Sequence, residues 1–317
     1  MMRRRPLVSA GAVVLLAAAA LGAAALLRPS QGYAPPSPSP AFFDPRAVAV
    51  AGARLYVAGA VGRSRAAVEV SGDGGATWSS TRLDAPAIRR AVPDGSSVWL
   101  AGECQGAGSG CLLVGDASGW RAVGSPPLDD LVVAPAGTLT VITHPPHVAP
   151  ALRQTADGGA SWHDVASPCP DGRVPISIAG RSQLDLAVCG VWLSNEGWVA
   201  LDDWVMVQRD GQAWREIATS KTQTAENLAA YNPGPITLTG DLTGWMQANG
   251  HLYQTADGGR SWSEVVVDPT NALSVASVAD AGWPSAYIIL RTEGATSKLQ
   301  LGGRAGWKTV ASWPWTW

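Results

Sequence analysis

The chain has 317 residues, 46% hydrophobic and 15% charged, and its 23 basic and 25 acidic side chains leave a formal charge of −2. That much apolar surface excludes a disordered chain, and the charge balance lacks the basic excess by which proteins hold nucleic acid. The 36 Gly and 23 Pro are spread along the chain, which suits many short strands joined by turns, so an all-β protein is expected.

In chain order, Arg3, Arg4 and Arg5 precede an uncharged run from Leu7 to Leu27. As a helix the run would cover roughly 31 Å, enough to cross a bilayer core, so residues 1–28 read as a signal anchor or a signal peptide. Length favours the anchor, while the small residues Ala23 to Ala25 would suit a signal peptidase. Positive charge before the run keeps the N-terminus inside and sends the remainder outside, giving an extracytoplasmic protein that touches the membrane only through this segment or is secreted. Residues 29–42, containing QGYAPPSPSP, form a Pro/Ser-rich linker, and residues 43–317 form the globular part.

The globular part repeats itself. SGDGGATW at 71–78, TADGGASW at 155–162 and TADGGRSW at 255–262 are nearly identical, and they alternate with weaker copies ending at Val123, Ile217 and Val310. The marker tryptophans are Trp78, Trp120, Trp162, Trp214, Trp262 and Trp307. The fifth unit shows the internal order best: PITLTG, GWMQANG, HLYQT, a DGG turn, then SWSEVVV, which is four short strands. Six such units predict a six-bladed β-propeller, five or seven blades being the alternative if the insertion 218–235 is irregular. The sixth unit is complete by itself, so no shared strand is expected to lock the ring. Asp73, Asp157 and Asp257 are expected to cap their own turns, with Trp78, Trp162 and Trp262 covering the turns between blades.

The pattern S/T-x-D-x-G-x-S/T-W at these three positions resembles the Asp-box, or bacterial neuraminidase repeat, of sialidases, sortilin-type receptors and photosystem II assembly-factor propellers. In those families the box lies at the hairpin between third and fourth strands, away from the ligand face, so the resemblance implies architecture and not activity. A working sialidase would further need an arginine triad, a Tyr nucleophile with a Glu, and an Asp acid. The nearest string to the family's arginine motif, Gly172-Arg173-Val174-Pro175, falls in the fourth unit, and the later tyrosines, Tyr231, Tyr253 and Tyr287, are poorly placed, Tyr253 being on a third strand and Tyr287 in the strand pattern SAYIIL.

No catalytic residue, cofactor or metal is therefore expected. His144 and His147, in THPPHVAP, read as a polar loop, and Asp129-Asp130 and Asp202-Asp203 as solvated strand ends. Trp313, Trp315 and Trp317 alternate as a strand that closes the ring. Topology brings Arg63, Arg65, Arg89, Arg90, Glu103, His144, Arg173 and Glu196 toward the rim opposite the Asp boxes. That rim is the expected site for a protein or glycan partner, the alternative function being exo-sialidase activity.

Four cysteines in an exported chain read as two disulfides. Cys104 and Cys111 flank the turn QGAGSG and should face each other across a hairpin. Cys169 precedes the fourth unit's first strand and Cys189 lies in its second, so their bridge would pin the connection between units to that sheet.

Overall fold

The computed structural model describes residues 42–314 except 63–64, 86, 103–109, 135–136, 144, 146, 171, 182, 184, 194–197, 223–233, 268–273 and 293–295. The N-terminal segment and nearly all of the linker lie outside the described residues, which belong to the unit Ser37–Trp317. Among them there is no α-helix, and hence none long enough to cross a membrane.

The described chain is six four-stranded antiparallel sheets, each built from consecutive strands. Blade 1 is β1 (Phe43–Ala51), β2 (Arg54–Val61), β3 (Arg65–Ser71) and β4 (Ser79–Leu83). Blade 2 is β5 (Ile88–Asp94), β6 (Ser97–Gly102), β7 (Gly110–Asp116) and β8 (Gly119–Ser125). Blade 3 is β9 (Leu128–Ala134), β10 (Thr138–Thr143), β11 (Ala151–Thr155) and β12 (His163–Val165). Blade 4 is β13 (Arg173–Ala179), β14 (Leu186–Leu193), β15 (Trp198–Asp210) and β16 (Ala213–Thr219). Blade 5 is β17 (Ile236–Leu238), β18 (Gly244–Ala248), β19 (His251–Thr255) and β20 (Ser263–Val265). Blade 6 is β21 (Ser274–Asp280), β22 (Ala286–Thr292), β23 (Thr296–Gly303) and β24 (Gly306–Pro314). This is the expected six-bladed propeller, and of the insertion 218–235 the start belongs to the end of β16 while residues 223–233 lie outside the described residues.

Apolar side chains on both faces of every sheet meet those of the neighbouring sheets, so the core is divided into six clusters, one per interface. Tyr56, Ile88 and Leu100 join blades 1 and 2, and Trp99, Leu112 and Leu139 join blades 2 and 3. Ile142, Ile178 and Val205 join blades 3 and 4, while Trp204, Met206 and Tyr253 join blades 4 and 5. Trp245, Leu252 and Ile288 join blades 5 and 6. The closing interface, between blades 6 and 1, has the same construction, with Phe43, Val57, Ile289 and Trp313. Each large side chain so buried contributes on the order of 1.5–3 kcal/mol, and the closing contact is made of the same material as the other five.

Trp313 closes the ring as its alternating pattern implies. It is 5% exposed, meets Phe43 edge-on at 5.8 Å and Trp78 at 5.6 Å, and its indole N–H donates to Oε2 of the buried Glu69 at 3.3 Å. Asp44 and Arg291, 3.2 Å apart, add an ion pair across the same seam. Trp315 and Trp317 lie outside the described residues.

The innermost strands, β1, β5, β9, β13, β17 and β21, turn one edge toward the axis, and among the described residues no further strand pairs with it. In five of them the register slips by one residue, leaving Arg46, Arg89, Asp129, Ile176 and Ala276 as bulges. A bulge bends its strand and re-aims the following side chain. Those following residues are Ala47, Arg90, Asp130, Ser177 and Ser277, and four of the five bond across to another innermost strand.

Candidate binding surfaces

The short hairpins of each blade, between first and second and between third and fourth strands, share one end of the ring. Connections between second and third strands, and from blade to blade, share the other. We call these the box end and the loop end.

At the box end the three Asp boxes repeat one set of bonds. Asp73 Oδ1 accepts from the Ser71 hydroxyl (2.8 Å) and Thr77 N–H (2.9 Å), and its Oδ2 from the Thr77 hydroxyl (2.6 Å). Asp157 takes the same bonds from Thr155 and Ser161, and Asp257 from Thr255 and Ser261. Donors from Thr77 and Ser71 lower the Asp73 carboxyl to about 2, and those from Ser161 and Thr155 hold Asp157 lower still. At Asp257 burial pushes upward, but Ser261 and Thr255 outweigh it and the group stays low. Each of the three carboxylates is thus occupied with the donors of its own turn.

The tryptophans cover these turns in two ways. Trp78 and Trp262 donate to Gly75 and Gly259 of their own turns, at 3.0 and 3.1 Å. Trp162 instead donates to Gly124 of blade 2 at 2.9 Å, tying the turn to its neighbour. The glycines meet the preceding blade too: a Cβ on Gly75 would overlap Val310, and one on Gly159 would overlap Val123. Ile217 sits 3.4 Å from the equivalent point on Gly259. The apolar residues that end the weak repeats thus rest on the glycines of the next strong repeat.

At the loop end, the eight rim residues singled out from sequence have different fates. Arg63, Glu103, His144 and Glu196 lie outside the described residues. Arg65, at the start of β3, and Arg89, at the bulge of β5, are exposed. Arg173, on β13, is turned to Asp203, donating to its backbone carbonyl and to Oδ1 at 3.1 Å.

Arg90 points inward along the axis. Its Nε lies 3.0 Å from Oδ1 of Asp130 on β9, and its Nη2 donates to the carbonyl of Ile236 on β17 at 3.0 Å. Asp130 also accepts from Ser177 Oγ and Ile178 N–H on β13, both at 3.1 Å. The reading of Asp129-Asp130 as a solvated strand end is corrected here: Asp130 is 4% exposed and joins blades 2, 3 and 4, because the bulge at Asp129 turns it inward.

Among the described residues, two of the cavities at the box end are lined by more than one blade. One, of about 450 Å³, lies on the axis among the innermost strands of blades 1, 2, 5 and 6, with Val48, Val50, Ala91 and Val278 on its walls and Arg54 and Asp280 among its lining residues. The other, of about 560 Å³, lies between blades 4 and 5 and is more polar, with Arg181, Asp185, Gln208 and Asp241. The sequence places the candidate mouth at the loop end and gives no sign of these. The walls of the first depend on which strand edges meet at the axis and those of the second on which turns of adjacent blades meet, and no local motif encodes either.

Neither cavity unites a Tyr, a Glu and three Arg. Tyr253 is fully buried between blades 4 and 5, and burial, with the nearby Glu264 charge, pushes its hydroxyl up to about 12. Tyr287 lines the axial cavity, and Tyr231 lies outside the described residues. No metal-binding cluster occurs among the described residues.

The bridge between Cys169 and Cys189 is present, with Cα atoms 5.6 Å apart, and joins the connection before β13 to β14. Cys104 lies outside the described residues, so the expected bridge to Cys111, on β7, does too.

No protein-family model matches the chain. A photosystem II assembly lipoprotein, Ycf48, from Synechococcus sp. (strain CC9902) is 28% identical over 129 residues, which is 38% of this chain. The match spans only 33% of that protein's length. Among solved structures, the lectin SapL1 in complex with α-methyl fucoside superposes with a TM-score of 0.57 at 12% identity, over 85% of this chain and 95% of that one. The β-propeller domain of the trilobed protease from Pyrococcus furiosus, described as having an open velcro topology, superposes with a TM-score of 0.50 at 8% identity, over 87% and 99% of the two chains. At such identities these structures share the fold alone. In architecture the chain is similar to solved β-propellers, and over 38% of its length its sequence is similar to Ycf48.

Proposed function

We propose that this chain is an exported binding propeller without catalytic activity, which takes a protein or glycan partner at the loop end. The observation that carries the reading is the contrast between the two ends. The aspartates and tryptophans of the box end are spent on their own turns and on neighbouring blades, whereas the loop end has connections that run from two residues, at 126–127, to sixteen, at 220–235, and carries the exposed Arg65 and Arg89. Unequal loops on a rigid ring are the usual means by which a propeller acquires a partner. The named role of the Synechococcus relative in photosystem assembly favours a protein partner. Export is supported by the arginines and apolar run at the N-terminus and by the Cys169–Cys189 bridge, since disulfides persist in oxidising compartments.

The test is site-specific photo-crosslinking in native envelopes, with the probe at Arg65 or Arg89 and, as control, at Asp116 of the box end. Discrete adducts from the loop-end probes, abolished by charge reversal at the companion arginine, are expected. Equal labelling from both ends, or release of sialic acid from standard glycosides by the purified chain, would overturn the reading.

A further inference from the structure

We propose that the axial cavity at the box end is a second binding site, which takes an extended peptide segment by pairing with the bare edge of β1. The argument starts from hydrogen-bond parity. In an antiparallel hairpin closed by a two-residue turn, alternate residues bond to the partner strand and the others turn their N–H and C=O away from it. The turn at 52–53 sets Ala51 opposite Arg54, so Ala49 and Ala47 face β2 while Val50 and Val48 face the axis. By the same count Ala91 and Pro93 face the axis from β5, and on β21, where Ala281 N–H bonds to Ser285 C=O inside the longer turn, Val278 and Asp280 do. The observed bonds agree: Val48 N–H donates to Ser277 Oγ at 3.1 Å, Ile236 C=O accepts from Arg90, and Val278 C=O accepts from Thr237 Oγ1 at 3.4 Å.

Those three bonds use the outward groups nearest the middle of the ring. Beyond them, toward the box end, Val50, Ala91, Pro93 and Asp280 line the cavity. The cavity thus offers main-chain groups at strand spacing between walls of Val and Ala, with the polar side chains of Arg54, Thr237, Asp280 and Tyr287 also in its lining. A ligand that matches the main-chain groups and the Val and Ala walls presents alternating N–H and C=O groups together with small apolar side chains, and that describes an extended peptide. Addition of a strand to an exposed edge is an established mode of recognition, main-chain bonds giving affinity and side-chain pockets specificity. The volume, about 450 Å³, is that of a short segment. Blade 2 is the poorer edge because Pro93 has no N–H, and on β21 the residue that faces the axis at the cavity is the charged Asp280, so an apolar segment is best served by β1, which has both donor and acceptor at Val50.

The experiment pans a seven-residue displayed peptide library against the full chain in detergent. Enriched peptides are synthesised plain and with alternate backbone N-methylation, then titrated against the wild type and against Ala53→Trp and Ala281→Trp, which place bulk at the cavity mouth. Amide hydrogen exchange is followed at Val50. Expected are enriched peptides of apolar alternation, loss of affinity of tenfold or more in either variant and on N-methylation, slowed exchange at Val50, and no effect of Arg65→Glu. No enrichment over the naked phage, affinity indifferent to both tryptophans, or unchanged Val50 exchange would each overturn the proposal. Peptides that respond to Arg65→Glu and not to the tryptophans would overturn it while supporting the loop-end site. Unchanged thermal melting of the two tryptophan variants is required for the comparison.

Discussion

The Arg90 guanidinium, on the innermost strand of blade 2, reaches the Ile236 carbonyl on the innermost strand of blade 5, at 3.0 Å. These blades are three places apart in a ring of six, so one side chain crosses the axis while its Nε stays paired with Asp130 at 3.0 Å. Both members of the pair are shielded, their side chains 12% and 6% exposed.

Removing one partner of such a pair strands the other charge. Arg90→Met is expected to cost about 3–5 kcal/mol in urea unfolding. The double variant Arg90→Met with Asp130→Leu should recover most of that loss, since apolar residues of similar size replace a buried pair at little cost. A double variant no more stable than Arg90→Met would show that the crossing bond to Ile236 matters more than the charge balance.

The Asp-box carboxylates make stability depend on acid in a defined direction. Asp73 titrates near 2 in the folded chain against an ordinary 3.8, so its stabilising contribution is fully present above about pH 4 and disappears as the pH falls through 2. Asp157 acts in the same sense. Melting temperature should therefore be flat with respect to these groups near neutrality and drop steeply below pH 4. Asp73→Asn should melt lower at pH 7 and show a shallower drop in acid, and parallel curves for the two proteins would exclude the carboxylate as the source.

The box glycines should differ in their tolerance of a methyl group. Gly75 and Gly159 have φ of 96° and 94°, and a Cβ on either would strike a β-branched valine of the preceding blade. Gly259 has φ of 92° but meets the pliable Met206 sulfur at 3.1 Å. Overpacking costs about 1–3 kcal/mol beyond the backbone strain, so Gly75→Ala and Gly159→Ala should destabilise more than Gly259→Ala. Val310→Ala should partly rescue Gly75→Ala, and failure to do so would place the cost in backbone strain alone.

Loss of the bridge between Cys169 and Cys189, which are 20 residues apart, should cost about 3 kcal/mol by the loop-entropy argument. Chemical denaturation of the double serine variant measures it directly. Because the bridge pins only the connection before blade 4, the variant should keep its strand circular dichroism under native conditions.

The box turns, the alternation of strong and weak repeats, the blade count and this bridge were legible in the sequence because each rests on near neighbours. TADGGASW carries the donors, acceptor and glycines of its own turn within eight residues, and Cys169, in the connection before β13, is only 20 residues from Cys189 on β14. The crossing of Arg90 was not legible. Its partners are 40 and 146 residues away, and the bulges that aim Arg90 and Asp130 at the axis leave no mark in an apolar alternation. The axial cavity was hidden for the same reason, being defined by main-chain groups whose direction follows from register and not from side-chain type. Trp162 shows the limit within the motif itself: its sequence matches that of Trp78, yet its indole bonds to the preceding blade.

Since every sheet is finished before the next begins, the order of the six blades is a cyclic word that can be read from any letter. The covalent break between Trp313 and Phe43 falls in an interface built like the other five, so it holds no privileged place in the architecture. A circular permutant that joins residue 314 to residue 43 by a short flexible linker and opens the chain within 223–233 should fold to the same ring. In it, blade 5 would become first and blade 4 last, and a new seam between Trp204 and Tyr253 would replace the one now held by Trp313.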